Sequence, residues 1–179
     1  MATATVPNSE LERLAKELES NKRVISIAGL TSVPAKAFVL AELLKTSGKK
    51  FAVVTDSNSS LETWEANLAF WSKGAIVALP SFETDVYSGV SPHAETQERR
   101  ALALWQMTLG QPDLFVTTAR SLVGRTATPD EVRRLGAMLK LDEDFPLGEL
   151  IDRLSSVGYV REDPVNGVGQ FSIRGGIVD

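Results

Sequence analysis

An α/β fold, with a parallel sheet flanked by helices, is predicted for this chain by three features. Short apolar, β-branched runs recur through the first two thirds of the sequence. Amphipathic stretches of helical period lie between them, and glycine, proline or hydroxyl-bearing residues punctuate the joins. Strands that alternate with helices in this way pair in parallel, because each helix carries the chain back across the sheet.

Residues 9–20 carry Leu11, Leu14, Ala15 and Leu18 at helical spacing among charges, which predicts an amphipathic helix. The run 23–29, RVISIAG, reads as a buried strand closed by glycine. Pro34 suits the first turn of a helix to about Lys45, ended by Ser47-Gly48. FAVVT at 51–55 is a second strand. Ser59 and Glu62 stand at capping-box spacing before a helix whose face carries Leu61, Trp64, Leu68 and Trp71. AIVALP at 75–80 is a third strand, and Ala94 to Leu109 a long helix closed by Gly110. LFVTT at 114–118 is a fourth strand.

Beyond Gly124 the texture changes. Thr128-Pro129-Asp130-Glu131 starts a helix that Gly136 cuts short, AMLKL at 137–141 has strand character, and 146–156 reads as another amphipathic helix. The closing segment alternates apolar and polar residues around a Pro-Val-Asn-Gly turn, as two strands and their connection would. A second, smaller α+β domain is therefore expected over 126–179, after a first domain over 1–125.

The 179 residues are 43% hydrophobic and 23% charged, enough for one sizeable core or one core and a smaller one. With no cysteine and one histidine, disulfides, thiolate metal sites and His-rich metal clusters are excluded. The net charge of −4 disfavours a chain that lives by gripping phosphate backbones. No leader-like or membrane-spanning apolar run is seen, so the chain reads as cytoplasmic, with no membrane partner.

A phosphate loop would sit after the first strand, and the chain offers Gly29-Leu30-Thr31-Ser32-Val33-Pro34-Ala35-Lys36-Ala37 there. Pro34 occupies the second glycine position and has no N–H for a phosphate, Lys36 falls one place late, and Ala37 cannot hold magnesium. The loop is thus degenerate, and no cofactor is expected. An unorthodox nucleotide site on Gly29–Lys36 is the competing reading, and direct DNA binding a third. Asp142-Glu143-Asp144 reads as a solvated acidic turn, His93 as a helix-start residue, Trp64, Trp71 and Trp105 as core packing, and Arg99-Arg100 as solvated or loop-pairing.

Gly158-Tyr159-x-Arg161-x-Asp163 followed by Gly169-x-Phe171-x-x-Arg174-Gly175-x-x-x-Asp179 is similar to a signature shared by the excision-repair protein UvrB and the bacterial transcription-repair coupling factors (Mfd). Leu79-Pro80-Ser81-Phe82-Glu83-Thr84-Asp85-x-Tyr87, then Ser91-Pro92-His93 and Ala119-Arg120-Ser121-Leu122, resemble the coupling factors in particular. The resemblance covers most of residues 22–179 and is loose between 125 and 158. A broken phosphate loop, and a link from Pro80 to Ala94 too short for UvrB's aromatic hairpin, set the chain apart from UvrB itself.

The resemblance implies a vestigial ATPase-like (P-loop or RecA-like) first domain and a second domain that binds UvrA, the damage-recognition subunit. It implies a non-enzymatic docking role in transcription-coupled repair. RNA polymerase, DNA, ATP and magnesium would be handled by other regions of the full protein, and residue 179 is not expected to be its natural end. The expected contact residues are Arg161, Arg174 and Phe171. Two arginines and an aromatic on neighbouring strands have the make-up of an interface hot spot, with guanidinium forks suited to a partner's carboxylates. The residues alone also allow Arg161 to pair with Glu162 or Asp163, and Phe171 to pack inside the domain. Ser172 stands where the UvrB branch often has a further arginine.

Overall fold

The computed structural model describes residues 8–20, 22–84, 87, 89–110 and 112–179. The extreme N-terminus, read above as lacking a leader, and Asp85 lie outside the described residues. In chain order the elements are α1 (Asn8–Glu19), α2 (Val33–Ser47), β1 (Phe51–Thr55), α3 (Asn58–Trp71), β2 (Ile76–Leu79), α4 (Ala94–Thr108) and β3 (Leu114–Thr118). Then follow α5 (Ala119–Val123), α6 (Pro129–Leu135), α7 (Leu147–Ser156) and four two-residue strands, β4 (Val160–Arg161), β5 (Gln170–Phe171), β6 (Ile173–Arg174) and β7 (Ile177–Val178).

The predicted α/β class holds. β1, β3 and β2 form a parallel sheet in that order, with Phe51 and Ile76 both opposite Leu114, and Thr55 opposite Thr118. Helices α2 and α3 pack on each other, and α3 packs on all three strands. The core on this side is Ala37, Leu61, Leu68, Leu114 and Val116, ringed by Leu40, Leu44, Phe51, Val53, Trp64, Ile76 and Ala78. Leu61 and Leu68, two turns apart on α3, are fully buried, each contributing about 1.5–3 kcal/mol of apolar transfer.

Two strand expectations fail for one reason. Residues 23–29 form no strand, and Val24 and Ile27 are 79% and 51% exposed. Residues 137–141 form none either, and Leu141 is 92% exposed. Both runs have strand composition, but a strand exists only where a neighbour completes its ladder, and among the described residues neither run has one. The start of α3 is also corrected. Ser57, not Ser59, is its N-cap, accepting a hydrogen bond from the Ser60 N–H. Gly48 (φ 62°) closes α2 and Gly110 (φ 68°) follows α4, left-handed positions that glycine fills without strain.

The described residues divide into two compact units, one drawn from Met1–Ser81 and Gln111–Val123, the other from Phe82–Gly110 and Gly124–Asp179. This departs from the linear boundary at 125/126, because α4 groups with the later residues. It packs on α6, and Trp105 covers Gly136 so closely that a β-carbon there would meet the indole at 2.2 Å. α6 starts where the sequence predicts, and Thr128 caps it in a full capping box with Glu131.

In the first unit the C-terminal ends of the strands are bound by hydroxyls. Thr55 Oγ1 donates to the Thr117 carbonyl (3.2 Å), and Thr117 Oγ1 to that of Leu79 (3.0 Å). Asn58 grips residue 81 from both sides. Its Nδ2 donates to the Ser81 carbonyl (2.9 Å), and its Oδ1 accepts from the Ser81 N–H (2.8 Å).

Candidate partner-docking site

The docking residues expected from the sequence all lie in the second unit, after α7. That helix is amphipathic, and its C-terminus turns out through Gly158 (φ 95°), where the Tyr159 N–H returns to the Leu154 carbonyl (3.0 Å). β4 then runs beside β5 in parallel, with Arg161 in register with Phe171, and the Glu162 N–H donates to the Phe171 carbonyl (2.9 Å). Gln170 holds the intervening loop, its Oε1 accepting from the Asn166 and Gly167 N–H groups at 2.8 and 3.0 Å. After Phe171 the chain enters a hairpin. Ser172 and Asp179 exchange backbone hydrogen bonds (both 3.1 Å), β6 pairs antiparallel with β7, and Gly175 supplies the positive φ of the two-residue turn.

These features separate the three expected contact residues. Arg161 is exposed on β4. Among the described residues its side chain makes no hydrogen bond or ion pair, so the local pairing with Glu162 or Asp163 is not formed. Arg174, on β6, is exposed as well, but its Nη2 donates to Asp163 Oδ1 at 2.5 Å. That hydrogen bond, then the charge of Asp163, hold the Arg174 guanidinium above its ordinary range. Phe171 is 2% exposed. A ring so enclosed has no surface to give a partner, and it is corrected here from contact residue to core residue.

The strand geometry is corrected too. Arg161 belongs to the β4–β5 ladder and Arg174 to the separate β6–β7 ladder, so they do not sit on adjacent strands. The break falls at Ser172, itself 1% exposed, whose Oγ donates to Asp179 Oδ2 at 3.3 Å. Position 172 therefore faces inward in this chain. Asp163 is the residue that sequence reasoning missed as a partner of Arg174. Only the shared signature hinted at it, since the two are 11 positions apart.

The phosphate-loop region is equally plain. Gly29 has φ 86°, Ser32 is the N-cap of α2 without using its side chain, and Pro34 lies in the first turn. Lys36 is part-buried, and Ala37, where a magnesium-binding hydroxyl would stand, is wholly enclosed in the core. A cleft of about 620 Å³ lies between α1 and residues 24–30, and neither Gly29 nor Lys36 lines it. Among the described residues, no cluster of three His, Asp or Glu side chains could hold a metal ion.

Other expectations resolve simply. His93 is the N-cap residue of α4 without a side-chain cap bond. Asp142 to Asp144 form an exposed turn, with Asp142 in the left-handed region and Lys140 bridging to Glu143. Arg100 is not solvated. It is 6% exposed, with its guanidinium 4.2 Å from the centre of the Phe82 ring, and burial lowers its pKa. No described helix is long and apolar enough to cross a membrane.

No protein-family model matches the chain. Among curated proteins it is similar to the transcription-repair-coupling factors of Mycobacterium tuberculosis and Mycobacterium bovis, 30% identical over 195 aligned positions that take in 99% of this chain. It is likewise similar to that of Staphylococcus aureus, 28% identical over 157 positions and 86% of the chain. The chain spans only 13–15% of the length of these relatives. Over almost its whole length, this chain is a homologue of the transcription-repair-coupling factors.

Proposed function

We propose that the chain is the UvrA-docking part of a transcription-repair coupling factor, drawn from its N-terminal region, and that its own role is recruitment without catalysis. RNA polymerase, DNA and ATP are assigned to the remainder of the full-length protein. The observation that carries this reading is the exposed pair of guanidinium groups, Arg161 and Arg174, on the signature segment of a chain homologous to these factors. Exposed arginines on short ladders favour bidentate pairing with a partner's carboxylates. Support for a non-catalytic role comes from the phosphate loop, where Pro34 withholds a donor and Ala37 is committed to the core.

The test is a titration of UvrA from the same organism against the chain and against an Arg161→Ala/Arg174→Ala variant, with circular dichroism on both. Saturable binding that disappears in a still-folded variant is expected. A well-folded parent chain that does not bind overturns the reading. A melting shift with ATP and magnesium would favour the nucleotide-site reading instead, since a ligand that binds only the folded state must stabilise it.

A further inference from the structure

The two exposed arginines differ in one respect. Among the described residues the Arg161 side chain makes no hydrogen bond or ion pair, whereas Arg174 is tied to Asp163 through a single Nη2–Oδ1 contact of 2.5 Å. That contact joins the loop after β4 to the β6–β7 hairpin, so it fixes the guanidinium relative to the strand that bears Arg161. It also leaves Arg174 usable. Its side chain remains 60% exposed, and Nε and Nη1 make no hydrogen bond among the described residues. A guanidinium presents its five N–H donors in a rigid planar fork. Engaging one nitrogen with a carboxylate therefore turns the free edge of the fork in a set direction.

We propose that Asp163 is a positioning residue, which holds Arg174 with its free edge toward an incoming carboxylate on the protein partner. This rests on the docking reading above and deepens it. Asp163 acts by lowering the ordering cost of binding, since a long side chain already confined to its bound direction loses less freedom on association. The opposing possibility is competition, in which Asp163 occupies Arg174 and must be displaced. The half-used fork and the exposure of Arg174 favour positioning, because a competing carboxylate would take up the fork's paired edge.

The experiment measures the affinity of UvrA for the unmodified chain, Asp163→Asn, Asp163→Glu, Arg174→Ala and the Asp163→Asn/Arg174→Ala double variant, at low and high salt. A nitrogen NMR measurement of the Arg174 side chain without partner runs beside it. Asp163→Asn is expected to weaken binding roughly two- to fivefold at low salt, the range of exposed ion pairs, and less at high salt. Asp163→Glu should recover part of that loss. In the Arg174→Ala background, Asp163→Asn should cost nothing further, because the residue acts only through Arg174. The Arg174 guanidinium should lose its slowed rotation in Asp163→Asn. Tighter binding by Asp163→Asn, an unchanged loss in the Arg174→Ala background, or a guanidinium that rotates freely in the unmodified chain overturns the proposal. Absence of any binding by the unmodified chain instead removes the docking reading on which it stands, and the two failures are distinct.

Discussion

Trp105 lies against Gly136 with no room for a side chain between them. A β-carbon on residue 136 would stand 2.2 Å from Cζ3 and 2.4 Å from Cε3 of the indole. The backbone of Gly136 has φ −82°, which any residue adopts, so its glycine is required by space alone. The Gly136 carbonyl also accepts from Arg153 Nη1 (3.1 Å), which links α7 to the same point. Gly136→Ala is therefore expected to destabilise the second unit by at least about 1–3 kcal/mol, as overpacking does. Hydrogen exchange of α4 and α6 amides would measure it, and unchanged protection would refute the contact.

Phe171 and Arg161 face each other in register but should respond oppositely to truncation. Phe171→Ala removes a core ring and is expected to cost about 3–5 kcal/mol. Arg161→Ala removes an exposed side chain that has no ion pair among the described residues, and should change stability by less than about 0.5 kcal/mol. Denaturant titrations of both variants decide this. Equal small effects would return Phe171 to the surface.

Asn58→Ala breaks the double grip on Ser81 and leaves the backbone groups of that residue to find new partners. The expected loss is about 1–3 kcal/mol in the first unit, with the fastest exchange at the C-terminal ends of β1 and β2. A uniform loss across both units would contradict a local role.

Glu131 sets a pH dependence. The Thr128 backbone N–H, then its hydroxyl, hydrogen-bond to the carboxylate and lower its pKa. The folded value thus lies below the unfolded one, so the unfolded state binds more protons near that pH and stability rises with pH there. The contribution is complete above the ordinary glutamate value of about 4.3 and disappears as pH falls through the folded value. NMR titration should place the Glu131 midpoint below the ordinary range and return it toward that range in Thr128→Ala. A midpoint insensitive to Thr128 would count against the capping box.

Local chemistry made much of this fold legible. β1, β2 and β3 follow from β-branched runs, and α6 from Thr128 and Glu131, because each signal acts within a few residues. Residues 23–29 and 137–141 carried the same local signal and failed, since pairing depends on a distant neighbour. The N-cap of α3 was misread because hydroxyls at 57, 59 and 60 compete within one turn. At the docking segment, exposure of the arginines could be anticipated from their charge. The inward turn of Ser172 and the link from Asp163 to Arg174 could not, because a strand break between β5 and β6 defeats simple alternation.

The sheet order has a bearing on how the chain is made. β1 and β2 do not pair with each other; both pair with β3, which is the last of the three to be synthesised. A ribosome that has delivered residues 51–79 has produced two strands with nothing to zip against. The ladder can close only after Leu114–Thr118 has cleared the exit tunnel, some 35 residues past β2. Until then the backbones of both strands stay open to wrong neighbours, the condition in which nascent chains aggregate. Slowing translation between β2 and the emergence of β3 from the tunnel should lower the soluble yield of this protein, whereas slowing it once β3 has emerged should not.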